Sequence, residues 1–97
     1  MAAYLIVDTL LEDPETYEQY KLQAKPIIEK FGGIYLARGG AITLKETDLW
    51  TPSRLVLIQF PDAATANRCM DSMEYQEIVP ISKQSAKRTM VVLEGIG

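Results

Sequence analysis

Three short segments of this chain are apolar at consecutive positions, namely residues 4–7 (YLIV), 55–58 (LVLI) and 90–93 (MVVL). A strand with one face in water alternates apolar and polar residues, whereas a continuous apolar run is typical of a strand buried on both faces. The chain has 97 residues, which is enough for one small domain, residues 1–97. The sequence therefore predicts a sheet that needs cover on both of its faces.

The first predicted helix runs from Asp13 to Gly32. The Asp13 side chain suits the N-terminal cap, Pro14 suits the first helical position, and Gly32 suits the C-terminal cap. Between them, apolar residues recur at helical spacing and predict one buried face: Tyr17, Tyr20, Ala24, Ile27, Ile28 and Phe31. Pro26 falls inside this helix and is expected to kink it, because proline donates no backbone hydrogen bond.

The remaining segments complete a β-α-β-β-α-β order. The predicted strands are residues 3–9, 34–46 with an interruption at Gly39–Gly40, 54–60 and 87–95. A second helix begins at Asp62, and a further helical piece begins at Ser72 and is broken or kinked at Pro80. This order is that of the ferredoxin-like fold, an α+β architecture with a four-stranded antiparallel sheet and helices on one face. The expected strand order is 4-1-3-2.

Helices on one face leave the other face of such a sheet without cover. A second copy of the chain is the simplest cover, so we expect a homodimer packed sheet to sheet. The alternative is a monomer with an apolar sheet exposed to water. Cys69 is the only cysteine and the chain has no histidine, so we expect no disulfide, no structural zinc, no haem and no other cofactor.

Charge and the first residues bear on partners and location. The net charge of −3 disfavours a nucleic-acid partner, and Lys83, Lys87 and Arg88 are interpreted as a solvated helix end. No segment is long enough to span a membrane, so no membrane partner is expected. The segment 1–10 (MAAYLIVDTL) carries no basic leader and is predicted to be a strand. Together with the lone thiol, this favours a cytoplasmic location.

Several segments together resemble a known family. They are GGIYLARGG (32–40), DLWTPSRLVLIQFPD (48–62), SMEYQEI (72–78) and VVLEG (91–95). Over the whole chain they are similar to the family called domain of unknown function thirteen-thirty. The resemblance implies the dimeric α+β barrel superfamily, which includes cofactor-free monooxygenases, haem-degrading enzymes, lactone isomerases and a hydrolase-like group using His and Asp. A shared fold does not transfer those activities, and the usual haem ligand and the His–Asp pair are missing here.

Arg38 ends an apolar segment and precedes Gly39 and Gly40. Strand alternation places it on one face with Ile34 and Leu36, where a cation needs a partner. One interpretation is an ion pair with a carboxylate, the candidates being Asp8, Glu46, Asp48 and Glu94. The other is a clamp for a ligand carboxylate or phosphate, with the two glycines leaving room and free backbone N–H groups.

Other side chains have both a structural and a functional interpretation. Trp50 is either a plug at a barrel end or dimer seam, or a lid over a pocket. Tyr20 is either a core residue or a proton donor beneath a cleft. Asp8 is a second candidate for moving a proton, as a pair with Glu94, unless these carboxylates are hydrogen-bonded to Arg38 or Arg88. Arg54 is expected to form a salt bridge with Asp48 or Glu46.

Two residues of the second helical region are assigned structural roles. Glu74 is expected to compensate the helix dipole. Cys69 has no Lys or His beside it in sequence, so it is not expected to be a catalytic thiolate.

The sequence supports two hypotheses of function. In the first, a homodimer binds a small anionic organic molecule between sheet and helices and turns it over without a cofactor. Arg38 would orient the anion, with Gly39 and Gly40 beside it, Tyr20 or Asp8 would move a proton, and Trp50 would shield the site. In the second, the protein is a non-catalytic structural or interaction protein that binds only itself. The sequence leaves open whether the protein is an enzyme.

Overall fold

The computed structural model describes residues 1–97 and contains seven regular elements. They are β1 (Ala3–Leu11), α1 (Pro14–Lys30), β2 (Ile34–Arg38), β3 (Leu55–Phe60), α2 (Ala63–Asp71), α3 (Met73–Ser85) and β4 (Ala86–Glu94). The four strands form one antiparallel sheet in the order β2-β3-β1-β4. This is the predicted order read from the other edge, and the ferredoxin-like α+β fold is confirmed.

The first helix ends one residue earlier than predicted, because Phe31 is the C-terminal cap and Gly32 follows it. Gly32 has φ = +84°, a left-handed conformation that favours glycine. Its N–H donates to the Glu29 carbonyl, and the Gly33 N–H donates to the Ile28 carbonyl, both at 2.9 Å. These two bonds are those of a Schellman motif, which satisfies the last carbonyls of the helix.

Both internal prolines lie inside continuous helices. Pro26 is part of α1 and Pro80 is part of α3. Of the two predicted alternatives, a break at Pro80 is therefore wrong, because α3 continues for five residues after it, to Ser85, and a kink stays a prediction. None of the helices is both long and apolar enough to cross a membrane.

The second strand is shorter than predicted and ends at Arg38 instead of residue 46. Gly39 takes φ = +68° and donates its N–H to the Leu55 carbonyl at 2.9 Å, after which the chain leaves the sheet. Residues 39–54 form a connection without regular structure. A left-handed residue cannot continue a strand, so the glycine that was expected to interrupt β2 ends it.

A β-bulge at Leu36 decides which face Arg38 occupies. The register between β2 and β3 shifts between Tyr35 and Ala37, and Tyr35 and Arg38 both lie opposite buried residues of β3. A bulge adds one residue and so reverses the alternation beyond it. The prediction that Arg38 shares a face with Ile34 and Leu36 is therefore wrong, and the bulge lies at Leu36 and not at the glycine pair.

The core lies between the helices and the inner sheet face, which we define by the side chains of Leu5, Val7, Thr9, Val56, Ile58, Arg88, Met90 and Val92. The predicted face of α1 supplies four buried residues, namely Tyr17, Tyr20, Ala24 and Ile28. The other helices supply Ala66, Cys69, Tyr75 and Ile78. The inner face is thus buried within one copy of the chain.

The outer sheet face, which we define by Tyr4, Ile6, Ile34, Leu36, Leu55, Leu57, Val91 and Leu93, is apolar but has no helix over it. Ile34 and Leu93 are each 57% exposed, and Val91 is 48% exposed. The continuous apolar runs thus combine two sets of residues: one set is buried under the helices, and the other lies on a face that no helix of this chain covers, so the predicted second cover stays a prediction.

The helix–strand turn gives a test of the fold. A Cβ at Gly33 would collide with Ile28 Cγ2 and lie 2.9 Å from the Ile28 carbonyl oxygen, whereas a Cβ at Gly40 would meet nothing within 4 Å. We expect Gly33→Ala to lower the free energy of unfolding by about 1–3 kcal/mol, as overpacking does. Urea denaturation measures the change, with Gly40→Ala as the matched control. Equal stability of the two variants would contradict this account of the turn.

Candidate functional site

A cleft between α1, α3 and the inner sheet face has cations and aromatic rings in its lining. The cationic side chains are Lys21, Arg38, Arg54 and Arg88, and the aromatic ones are Tyr17, Tyr20, Tyr35 and Tyr75. Aliphatic side chains form most of the remaining wall, among them Leu5, Val7, Ile28, Val56 and Ile58. The cleft holds about 390 Å³ of empty space including its open mouth, of which about 30 Å³ admits the centres of water molecules.

The three guanidinium charges in this cleft are not balanced by a carboxylate of the protein. No aspartate or glutamate lines it. The chain has two ion pairs, Lys21–Glu18 at 3.1 Å and Lys30–Glu74 at 2.7 Å, and neither includes an arginine. The expected ion pair of Arg38 with a carboxylate and that of Arg54 with Asp48 or Glu46 are therefore absent. Three unpaired guanidinium groups line one cleft of a chain whose net charge is −3.

Arg38 lies exposed beside the cleft. Its guanidinium carbon is 4.8 Å from the centre of the Tyr35 ring, a distance typical of a cation–π contact. Burial raises the pKa of Tyr35 to about 12, although the Arg38 charge acts in the opposite direction. The neutral Tyr35 ring therefore makes a cation–π contact with the Arg38 guanidinium, whose N–H groups have no carboxylate partner in the chain.

The Arg54 side chain is the reason why the residue after Arg38 must lack a side chain. A Cβ at Gly39 would lie 2.9 Å from Arg54 Nε and 3.0 Å from its Nη2, so the Arg54 guanidinium packs directly over the Gly39 backbone. The room that Gly39 was expected to leave for a ligand is occupied by this guanidinium. Gly40 has nothing within 4 Å and lies in open space. Gly39 thus positions a second cation of the cleft.

Arg88 forms the centre of a hydrogen-bond network. Its Nη1 donates to Tyr20 Oη at 2.8 Å and to Tyr75 Oη at 3.3 Å, and its Nη2 donates to Ser82 Oγ at 2.8 Å. The two tyrosine hydroxyls are 2.7 Å apart. Arg88 also lies 4.8 Å from the centre of the Tyr20 ring. Its assignment to a solvated helix end is wrong, because it lies in β4 with its side chain toward the core.

Tyr20 is a buried neutral hydroxyl in this network. Burial is the largest cause that raises the pKa of Tyr20 far above its usual value of 10.0, and the neighbouring Tyr75 adds to the rise. A phenol with such a pKa stays protonated at neutral pH and acts as a hydrogen-bond donor and not as a base. Sequence reasoning found Tyr20 but missed Tyr75 and Arg88, which reach it only through the register of β4 and the packing of α3 on α1.

Asp8 and Trp50 lie on the other side of the sheet. Asp8 Oδ1 accepts from the backbone N–H groups of Ser53 at 2.9 Å and Arg54 at 3.1 Å, and its Oδ2 accepts from Trp50 Nε1 at 3.0 Å. Trp50 also lines an open pocket on the outer sheet face, in which about 460 Å³ admits the centres of water molecules. Within one copy, therefore, Tyr20 and Arg38 line the cleft while Asp8 and Trp50 face away from it.

The other predicted residues have structural surroundings. Glu94 lies opposite Ala3, at the far end of β1 from Asp8, so the two carboxylates do not form a pair. Glu74 lies in the first turn of α3, as expected, and also pairs with Lys30. Burial raises the pKa of Cys69 to about 11, so its thiol is neutral at physiological pH. No three Cys, Asp or Glu side chains lie close enough together to hold a metal ion.

The Asp8 contacts give a pH-dependent prediction. Burial alone would raise the pKa of Asp8, but the hydrogen bonds from Ser53, Arg54 and Trp50 outweigh it and hold the pKa below its usual value of 3.8. The contribution of ionised Asp8 is therefore present at neutral pH and is lost as the pH falls through that lowered value. Because Trp50 is the only tryptophan, its fluorescence should change in this pH range.

Two variants distinguish Asp8 from other carboxylates. Asp8→Asn removes the titrating group and should abolish the acid step in the fluorescence of Trp50. Asp13→Asn removes another aspartate with a lowered pKa, at the N-terminus of α1, and should leave the step unchanged. An unaltered step in Asp8→Asn would show that Trp50 reports a different group.

Solved structures share this fold at low sequence identity. A protein of unknown function from Rhodopseudomonas palustris has a TM-score of 0.78 and 15% identity, with 99% of this chain and 83% of that chain covered. SnoaB, a cofactor-independent oxygenase from Streptomyces nogalater, has a TM-score of 0.70 and 8% identity, with 99% and 94% covered. A dimeric protein of unknown function with a ferredoxin-like fold, from Bacteroides fragilis, has a TM-score of 0.54 and 15% identity, with 97% and 96% covered.

These likenesses show the fold alone, and none of the curated proteins matches the chain. A family model does match it, as the resemblance of the glycine-flanked strand and the following segments implied. The model is that of the Domain of unknown function (DUF1330), and it matches residues 2–96. The chain therefore belongs to the DUF1330 family.

Proposed function

We propose that this protein binds a small organic anion in the cleft between its helices and the inner sheet face. The observation that carries the proposal is the set of three guanidinium groups, of Arg38, Arg54 and Arg88, without a carboxylate among them. Like charges at one site repel one another, and a half-buried cation without a counter-ion is costly. An anionic ligand would remove both costs and form charge-assisted hydrogen bonds.

The residues that line the cleft also indicate the polarity and size of the ligand. Eleven of the fifteen residues around the cleft are hydrophobic, so only a ligand with an apolar part would use the wall. The space for water centres in the whole cleft, about 30 Å³, is enough for about two water molecules, so its enclosed space admits a polar group and little more. The apolar body would then lie toward the mouth, near Tyr35 and Arg38. A compact carboxylic acid, phosphate ester or ionised phenol fits this description.

Turnover without a cofactor is the second part of the proposal, with Tyr20 as a hydrogen-bond donor to the reacting oxygen, because its raised pKa keeps the hydroxyl protonated at neutral pH. The cleft contains no carboxylate, and the chain has no histidine, so no side chain there is suited to accept a proton at neutral pH. Asp8, the other candidate, faces the outer side of the sheet. The oxygenase from Streptomyces nogalater shows that this fold supports chemistry without a cofactor, but fold alone does not carry its reaction to this chain.

We also propose that the protein is a homodimer joined through the outer sheet face. The apolar side chains of that face are contiguous across all four strands, and no element of the same chain packs over them. Large uncovered apolar patches are rare on monomers. The protein from Bacteroides fragilis with the same fold is described as dimeric. Cys69 is a free thiol, which fits a reducing compartment, and we propose a cytoplasmic location on that ground.

Thermal unfolding with added anions tests the binding proposal. We expect benzoate or phosphate, but not chloride at equal ionic strength, to stabilise the wild type. At ten times the dissociation constant, the gain is about 1.4 kcal/mol, and about 1 kcal/mol shifts the melting temperature of a domain this size by roughly 4–8 °C. Arg54→Met should reduce this gain by more than half. The matched control is Arg68→Met, which changes an exposed arginine of α2 outside the cleft.

The competing function, a structural protein whose only partner is itself, predicts a different result. In that case no carboxylate, phosphate or phenol would raise the melting temperature more than chloride does. Equal stabilisation of the wild type and Arg54→Met would likewise contradict the cleft as the binding site.

Substitutions on the two sides of the molecule test the dimer. Val91→Asp places a charge within the apolar part of the outer face, where a partner would bury it without compensation, so we expect this variant to sediment as a folded monomer at micromolar concentration. Leu22→Asp is the control, because Leu22 is an apolar residue of α1 that is 70% exposed on the helical side. A wild type that sediments as a monomer would contradict the proposed assembly.

A further inference from the structure

The network around Arg88 contains more donor hydrogens than acceptors. One hydrogen is shared between the hydroxyls of Tyr20 and Tyr75, which are 2.7 Å apart, so the other hydroxyl hydrogen needs a separate acceptor. The only one in the chain is the sulfur of Met90, 3.9 Å from Tyr75 Oη, and thioethers are weak acceptors. Ser82 already donates its own hydroxyl hydrogen to a helix carbonyl. No oxygen of the cleft lining therefore accepts this second hydroxyl hydrogen.

The geometry of Arg88 limits what that acceptor can be. Carboxylates bind arginine best through two parallel N–H groups. Here Nη1 is directed to Tyr20 and Tyr75, and Nη2 is directed to Ser82, so the end-on pair of Nη groups is already divided among hydroxyls, whereas the Nε–H has no such bond. Arg38 and Arg54 carry no such bonds to hydroxyls or carboxylates. The deep end therefore favours a single oxygen atom over a carboxylate held end-on by the two Nη groups, and we assign carboxylate recognition to the mouth.

The positive charge of Arg88 indicates whether the ligand oxygen at the deep end is charged or neutral. Arg88 has no carboxylate near it, so a negatively charged oxygen gains more there than a neutral carbonyl does. No side chain in the cleft is suited to take a proton from the ligand at neutral pH, because the cleft has no carboxylate and the chain has no histidine. The ligand must therefore arrive already ionised, or lose its proton to water on binding.

We infer that the hydroxyls of Tyr20 and Tyr75, together with Arg88, form a seat for one ionised oxygen on a flat unsaturated body, as in a phenolate or an enolate. The inference rests on the proposed function and names its ligand class. Tyr17, Tyr35 and the aliphatic wall contact the flat body, and the seat contacts its oxygen. Because the seat favours the anion over the neutral acid, it lowers the pKa of a weakly acidic ligand that binds there.

The probe for this seat is 4-nitrophenol, which is strongly coloured only as the phenolate. Its absorbance is titrated against pH with the full-length protein in excess and again in buffer alone. We expect the apparent pKa of the bound probe to be lower by at least one unit, which means that the phenolate binds at least tenfold more tightly than the phenol. The double variant Tyr20→Phe/Tyr75→Phe should reduce this preference to less than threefold, and Arg88→Met should abolish it.

The control variant is Tyr4→Phe, which removes a tyrosine hydroxyl from the outer sheet face and should leave the shift unchanged. Circular dichroism establishes that each variant is folded. If Arg88→Met does not fold, the double variant Tyr20→Phe/Tyr75→Phe still provides the test. An unchanged or raised pKa of the bound probe overturns the inference. If benzoate stabilises the protein but nitrophenol does not bind, the inference fails and the proposed function stands. If no anion binds, both fail.

Discussion

The positive charge of Arg88, held among hydroxyls and without a carboxylate, is the interaction on which the account of this cleft depends. Proteins that bury a cationic side chain usually place a carboxylate beside it, because the desolvation of a charge costs several kcal/mol. Here the cost is reduced by the hydroxyls of Tyr20, Tyr75 and Ser82 and by the face of the Tyr20 ring. These dipoles hold the guanidinium in place but leave its net charge, so the site remains suited to an external anion.

Arg54 makes contacts on both sides of the sheet, through its backbone on the outer side and its side chain on the inner side. On the outer side, Asp8 accepts hydrogen bonds from the backbone of Ser53 and Arg54 and from the Trp50 side chain. On the inner side, the Arg54 guanidinium packs over Gly39 and lines the cleft. Trp50 also borders the pocket on the outer face, where we place the dimer partner. Trp50, at the proposed dimer interface, is therefore linked through Asp8 to the backbone of Arg54, whose side chain is a cation of the cleft.

Much of the fold could be predicted from the sequence, because caps, helical spacing and apolar runs are local signals. Asp13, Asp62 and Ser72 do cap helices, and the strand order follows from the order of the elements. The site could be predicted less well. No local sequence signal predicts the bulge at Leu36, which moves the Arg38 side chain to the inner sheet face. Arg88 reaches the cleft lined by Tyr20 and Tyr75 only through the register of β4 with β1.

The chain has four arginines, of which Arg68 alone lies outside the cleft, so residue-resolved NMR of the side-chain Nε–H groups tests the central claim most directly. Benzoate would be titrated at constant ionic strength. The account predicts that the signals of Arg38, Arg54 and Arg88 shift along saturating curves with one dissociation constant, while that of Arg68 stays in place. Small shifts of all four signals that grow linearly with benzoate would contradict it, because they would mean only weak, non-specific contact.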